Sequence, residues 1–209
     1  MVENLRKVVA HVVSPQLVEK QLQAHFFNLT ENRAQFKRTD LDKNLIVYTL
    51  FEGSKMTVIT EVPNVPDLVP EDFKYFINNW VDCAAALNPL IESVEILEPV
   101  DGYGTGRTIA VCPWPLSKRL MYSARYPCLN FKPDHHLFIM SEKGSEPRIV
   151  FTETDAQTYA LAKLYVAGWS FAPIVDANGA IIGTTILYVQ CADAGGNVPQ
   201  AIQNLAGPN

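Results

Sequence analysis

Cysteine is scarce and scattered: Cys83, Cys112, Cys128 and Cys191 are the four in 209 residues, and no two form a CxxC pair. That reads as reduced, partly buried thiols of a cytosolic protein rather than a disulfide framework. Long apolar runs are also missing. The nearest candidate, YALAKLYVAGWSFAPIV (159–175), is interrupted by Lys163, Gly168, Ser170 and Pro173, so it does not span a bilayer. The opening MVENLRKVVAHVVSP lacks the sustained apolar stretch of a secretory signal, because His11 and Pro15 break up the valines. The expectation is a soluble, cytoplasmic protein, in which the NLT sequon at Asn28 is coincidental. Basic residues are in deficit, 17 Lys and Arg against 22 Asp and Glu, giving a formal net charge of −5. Phosphate binding calls for a basic surface, so no nucleic-acid partner is expected.

Catalytic signatures are lacking as well. There is no GxSxG, no local Cys-His signature, and no pair of carboxylates set in an apolar context for acid–base work. DGYGTGRT (101–108) superficially resembles a phosphate loop, but a strand-like run follows it where a phosphate loop needs a helix N-terminus. A hairpin turn is the expectation. His135 and His136 are adjacent, and neighbours in a strand point to opposite faces, so they do not share one metal ion.

What remains is an ordinary globular composition, 48% hydrophobic and 19% charged, in a chain of one-domain length. Val18, Leu22, Phe26 and Leu29 form one apolar stripe at helical spacing, with Ser14-Pro15 as its start signal. A shorter helix carrying Leu5, Val8, Val9 and Val12 is expected before it. From Ala34 the period becomes two through AQFKRTD, NLIVYTLFE and KMTVITEVP, with EGSK as a hairpin signal. A second helix is expected from Pro70 to the Asn88-Pro89 stop, burying Phe73, Phe76, Ile77, Trp80, Val81, Ala84 and Leu87. Strands are expected over Ile91–Glu98, Thr105–Val111, Leu120–Cys128, His135–Ser141, Arg148–Glu153, Tyr159–Val175 and Ile181–Gln190. Strands in sequence order imply an antiparallel meander, and helices outside it imply an α+β fold. A sheet of about nine twisted strands curls, and helices cover only part of its inner side, which leaves a cavity.

The residues suited to line such a cavity are polar-tipped aromatics and isolated charges on apolar faces. Tyr122, Ala124 and Tyr126 share one face of their strand, while Met121, Ser123 and Arg125 share the other. On the long strand Tyr165, Trp169 and Phe171 lie with Lys163. Tyr188 lies with Ile186, and Arg107 with Ile109 and Val111. Arg107, Tyr122, Tyr126, Lys163, Tyr165, Trp169 and Tyr188 are therefore the candidate ligand-binding residues, since a buried cation must be paired or meet an anionic group. The same aromatics also read as plain core, and the same charges as exposed.

CPWPLSKRLMY (112–122) has two readings too. Pro113 and Pro115 end strand pairing and stiffen a loop. Trp114, Leu116, Lys118 and Arg119 would equally suit a lid or weak membrane contact, the indole at headgroup level and each cation contributing roughly 1 kcal/mol.

Three stretches in order, Val69–Asp101, Pro113–Tyr126 (PWPLSKRLMYSARY) and Tyr165–Leu205, resemble the START lipid-transfer family over roughly Leu45–Leu205. The resemblance implies a helix-grip fold: a curved antiparallel β-sheet around a C-terminal helix, with an internal hydrophobic cavity. It divides the single domain into N-terminal helices (1–33), a sheet with an inserted helix near 70–88 (34–196), and a short C-terminal helix (197–209). It implies binding and release of one lipid, no cofactor, no metal and no catalysis, with 113–119 as a loop at the tunnel mouth. The implied partners are a sterol, phospholipid, ceramide or isoprenoid and a transient membrane surface, for a monomer. A ligand-responsive sensor or scaffold, and an enzyme using the same cavity, are the alternatives. In this sequence Leu120 follows Arg119 where the family has aspartate, and Leu87 stands where a tryptophan is common.

Overall fold

The computed structural model describes residues 15–100, 103–112, 116–142 and 152–195. The expected helix over 1–14, the strand portion 148–151 and the C-terminal helix (197–209) lie outside these.

The apolar stripe predicts the first helix well. α1 spans Pro15–Glu31, and Val18, Leu22 and Phe26 are buried along one side. Burying each such side chain contributes roughly 1.5–3 kcal/mol, which docks α1 on the sheet. β1 (Lys37–Asp42), β2 (Leu45–Glu52) and β3 (Lys55–Pro66) follow as hairpins. Glu52 pairs with Lys55 across a two-residue turn in which Gly53 holds a φ of 64°, a left-handed conformation suited to glycine.

The second expected helix is divided. A 3₁₀ turn over Pro70–Phe73 leads into α2 (Lys74–Asn78), and α3 (Trp80–Leu87) begins beyond Asn79. Asn79 leaves helical geometry while its side-chain amide donates to the Tyr75 carbonyl at 2.8 Å. Asn competes for backbone partners in this way, and the break follows from it. Ile77, Trp80 and Ala84 are buried regardless.

β4 (Ile91–Val100), β5 (Tyr103–Ala110), β6 (Arg119–Lys132) and β7 (His135–Ser141) form a meander. The expected strand ending at Glu153 is corrected: Glu153–Thr158 is a short helix, α4. Thr152 caps it, its hydroxyl accepting from the Asp155 N–H at 3.0 Å while the Asp155 carboxylate accepts from the Thr152 N–H at 3.2 Å. That reciprocal pair is a capping box, a signal present in TETD. The expected strand Tyr159–Val175 is split. β8 (Ala160–Leu161) runs parallel to β6, and β9 (Lys163–Val175) then pairs with β10 (Ile181–Asp193).

The main sheet order is β1-β2-β3-β10-β9-β7-β6-β5-β4, with β8 beside β6. This is not one meander. The last strand closes onto β3, and the α2–α3 segment carries the chain from β3 to β4 at the far edge. The helical insert therefore lies on one face and α1 on the other. The α1 face buries Ile59, Ala124, Tyr126, Leu137, Ile139, Val166 and Val189 against Val18, Leu22 and Phe26. The opposite face buries Phe138, Met140, Leu164, Ala167 and Phe171 against Ile77, Trp80 and Ala84.

Candidate functional site

The α2–α3 face holds the site. Register places Tyr188 opposite Trp169 and Trp169 opposite Phe138, so three aromatic side chains cross the central strands in a row. Trp169 lies 4.6 Å from the Tyr188 ring and 5.9 Å from Phe138, centroid to centroid. Trp80 of α3 closes on Trp169 at 4.5 Å, and Phe73 stacks on Phe171 at 4.4 Å. The Tyr188 hydroxyl donates to Gln190 Oε1 at 2.6 Å, and burial pushes its pKa up, so it stays a neutral hydrogen-bonding tip. Trp169, Tyr188, Ile186 and Gln190 sit on the central strands and are partly accessible. An aromatic-lined, partly accessible surface in the middle of a sheet is what a hydrophobic ligand needs.

Arg125 is a member of this face that the sequence candidates did not include. It registers opposite Gly104 on one side and Met140 on the other. Its guanidinium lies across β5, where a Cβ on Gly104 would stand 2.5 Å from Nη2. Its Nε is buried without a hydrogen-bond partner. Burial pushes its pKa down, and among the described residues no carboxylate opposes the shift. The alternation of β6 did separate Arg125 from Tyr122 and Tyr126. What it left undecided was which face would carry the aromatic row.

Of the predicted residues, the structure brings Trp169 and Tyr188 together here. Tyr126 points the other way and is buried beneath α1. Tyr165 also packs toward the α1 cluster, with Lys55 near its ring. The cause is a β-bulge, for Cys191 pairs with Val166 but Ala192 pairs with Leu164. The extra residue shifts the alternation, so Tyr165 no longer shares a face with Trp169. Lys163, at the start of β9, is exposed.

Arg107 and Tyr122 do meet, on the same face as Ala124. Arg107 Nη2 bonds Asp155 of α4 at 2.5 Å, and the Tyr122 hydroxyl donates to the same carboxylate at 3.4 Å. Glu95 is 3.8 Å from the guanidinium, and the Tyr159 ring lies 5.7 Å away. Arg107 is thus already neutralised in a cluster that holds α4 to the sheet.

The lid residues divide. Trp114 lies outside the described residues. Leu116 is half-buried, and Lys118 is exposed but ion-paired with Glu92 at 2.5 Å. Arg119 is only 5% exposed and donates to the Ser117 carbonyl at 2.5 Å and the Gly195 carbonyl at 3.5 Å. It ties the base of the loop to the end of β10, which corrects its reading as a membrane-facing cation. Gly195 holds a φ of 64°, and a Cβ there would collide with the Leu161 carbonyl, so this closure depends on glycine.

The two histidines point apart. His135 sits between Phe27 and Phe131 and shares a 2.7 Å hydrogen bond with Ser170. His136 is fully buried opposite Phe171, accepting from the Asn130 N–H at Nδ1, with Nε2 3.4 Å from Glu71. Among the described residues, no group of three or more His, Cys, Asp and Glu is placed to hold a metal ion, and no helix is long and apolar enough to cross a membrane.

No protein-family model matches the sequence, and the search of curated proteins likewise found no match. Solved structures do match. Human StAR-related lipid transfer protein 5 aligns over 91% of this chain and 88% of its own, at 12% identity and a TM-score of 0.70. Human STARD10 aligns over 90% and 72%, at 14% identity and a TM-score of 0.64. A STAR-related lipid transfer protein from Xanthomonas axonopodis aligns over 82% and 89%, at 16% identity and a TM-score of 0.60. Agreement of this extent at such low identity is agreement of architecture: the chain has the helix-grip fold of the START lipid-transfer domains.

Proposed function

We propose that this protein binds one lipid or other hydrophobic small molecule over the α2–α3 face and carries it between membranes, without chemical turnover. The observation that carries the reading is the row Tyr188–Trp169–Phe138, apolar and aromatic at the centre of the sheet, in which Trp169 and Tyr188 are partly accessible. Partial contact of the Trp169 and Tyr188 rings with water is unfavourable, and a ligand that covers them recovers that cost. Burying about 300 Å² of apolar ligand surface at roughly 25 cal/mol per Å² yields about 7 kcal/mol before losses of motion. The Tyr188–Gln190 pair and Arg125 supply the few polar groups that orient a head. The structural neighbours that share this architecture are themselves named lipid transfer proteins, which supports the same use of the fold.

Binding and carriage are separable by experiment. Purified protein is extracted and its organic phase analysed by mass spectrometry, then incubated with donor and acceptor vesicles holding a fluorescent lipid. Co-purified lipid and faster transfer, both reduced by Trp169→Ala, are expected. Protein that carries no hydrophobe and binds no fluorescent analogue would sink the reading. Binding without transfer would reduce it to a sensor or scaffold.

A further inference from the structure

Two turns from distant parts of the chain meet on one imidazole. His136 is fully buried on β7, opposite Phe171 of β9 and on the same face as Phe138. Its Nδ1 accepts from the main-chain N–H of Asn130 at 3.0 Å, in the turn between β6 and β7. Asn130 holds a φ of 57° and Asp134, at the other end of that turn, one of 55°, conformations that Asn and Asp tolerate better than most side chains. On its other side, Nε2 is buried with no hydrogen bond among the described residues, 3.4 Å from Glu71 of the 3₁₀ turn that opens the helical insert. That 3₁₀ turn packs against β7 and β9, and its last residue, Phe73, stacks on Phe171. An Nδ1 that accepts a hydrogen bond carries no proton, so the neutral ring holds its hydrogen on Nε2. Charging the ring puts a second N–H at Nδ1, where it faces the Asn130 N–H donor to donor.

We propose that His136 is a proton-operated latch between these two turns, closed at neutral pH and opened by acid. A proton from water bonds to the Nδ1 lone pair, the Asn130 hydrogen bond is lost, and the turn between β6 and β7 is released. The 3₁₀ turn loosens with it from the end of the aromatic face, so a ligand held at neutral pH is let go in acid. The latch stands on the geometry alone, and its effect on a ligand rests on the lipid-binding reading. A buried charge needs water or a counter-charge, and Nε2 faces Glu71, whose side chain is 63% exposed. Reaching water on that side takes the ring out from beneath Pro70–Phe73, and Phe73 leaves Phe171 in the process. Glu71 restrains the ring weakly, because it also pairs with Lys74 at 2.6 Å. The charged groups acting on the ring are Lys74 and Glu71 from the insert and Asp134 from the turn, with His135 beside it on β7 and Lys132 acting on His135. Burial and Lys74 disfavour the charged ring, while Glu71 and Asp134 favour it less strongly. Opening therefore grows as pH falls below the ordinary 6.5, by up to about tenfold per pH unit for one proton.

The test follows amide exchange by NMR in the whole nitrogen-15-labelled chain without ligand, each rate corrected for its intrinsic pH dependence. From about pH 8 to about pH 5 the Asn130 amide is expected to lose at least about tenfold in protection. It should exchange at least about a hundredfold faster than Ile59, which is paired on both sides in the middle of the sheet, and low urea that speeds Ile59 should leave it unchanged. Protection of Asn130 that does not vary with pH, or exchange only at the rate of Ile59, overturns the latch, and the natural protein alone decides this. His136→Gln keeps a side-chain carbonyl to accept the Asn130 N–H but takes up no proton, so the acid loss should disappear. Glu71→Gln should move the midpoint to lower pH and Lys74→Met to higher pH; a midpoint that ignores both also overturns the latch. The ligand arm uses tetradecanol, which has no titrating group, read from the emission of Trp80 and Trp169. Its affinity should fall at least about fivefold over the same pH range, and stay level in His136→Gln. A level affinity in the natural protein while Asn130 opens overturns acid release. If tetradecanol binds at no pH, the lipid-binding reading fails, and the amide exchange still decides the latch.

Discussion

Gly168 offers a direct test of how closely β7 and β9 are packed. A Cβ at this position would lie 2.3 Å from the Phe138 carbonyl oxygen and 3.1 Å from the Ile139 Cα. Both are backbone atoms of the ladder that pairs His136–Met140 with Ala167–Phe171, so no side chain can turn aside to make room. Gly168→Ala must separate the two strands locally, and overpacking of this kind costs about 1–3 kcal/mol, with the upper end expected where backbone is struck. For a domain of this size each kcal/mol lowers Tm by roughly 2–4 °C, so a fall of about 6–12 °C is expected by circular dichroism. The same separation moves Trp169 relative to Phe138, and its emission should shift. Gly106→Ala is the matched control. It is also a buried strand glycine, but its nearest neighbour, the Glu95 carbonyl oxygen, is at an ordinary 3.5 Å. Losing a glycine from the unfolded chain then offsets much of the cost, and Tm should change by no more than about 2 °C. If Gly168→Ala melted within about 1 °C of the natural protein, the close approach of β7 and β9 would be wrong.

Phe26→Ala removes a fully buried ring from the α1 face and should cost about 3–5 kcal/mol in chemical denaturation, while ligand affinity on the opposite face of surviving folded protein stays within about twofold. Acid should destabilise the protein through His136, whose pKa burial and Lys74 push below the ordinary 6.5, against the weaker opposing pull of Glu71 and Asp134. The folded state then binds fewer protons than the unfolded one. Stability is complete above about pH 6.5 and falls as pH drops through that value toward the lower folded pKa. His135 is shifted in the same direction, by burial first and then Lys132 and His136. Tm measured against pH should therefore flatten partly in His136→Gln and further in the double variant with His135→Gln. An unchanged slope in both would refute the burial of these imidazoles as the cause.

The local elements could be read from the residues because their causes are local. The Val18–Leu22–Phe26 stripe, the alternating runs that became β2, β3, β7 and β10, and the glycine turn at Gly53 each depend on neighbours a few residues away. Alternation also established that Tyr122 and Tyr126 oppose Arg125 on β6. A period of two says which side chains share a face, though, and is silent on which face will pack against α1 and which against α2 and α3. That assignment came from long-range packing, and it placed Arg107, Tyr122 and Tyr126 away from the aromatic row. One bulged residue, opposite Cys191 and Ala192, was enough to reverse Tyr165, since its effect exists only once β10 is paired with β9. Arg119 looked like a surface cation until the Gly195 carbonyl, 76 residues away in the chain, was brought to it. Arg125 shows the same limit most clearly. Its type and position were legible, but that its Nε is buried with no partner among the described residues depends on everything around it, and only the folded arrangement of β5, β6 and β7 makes this visible.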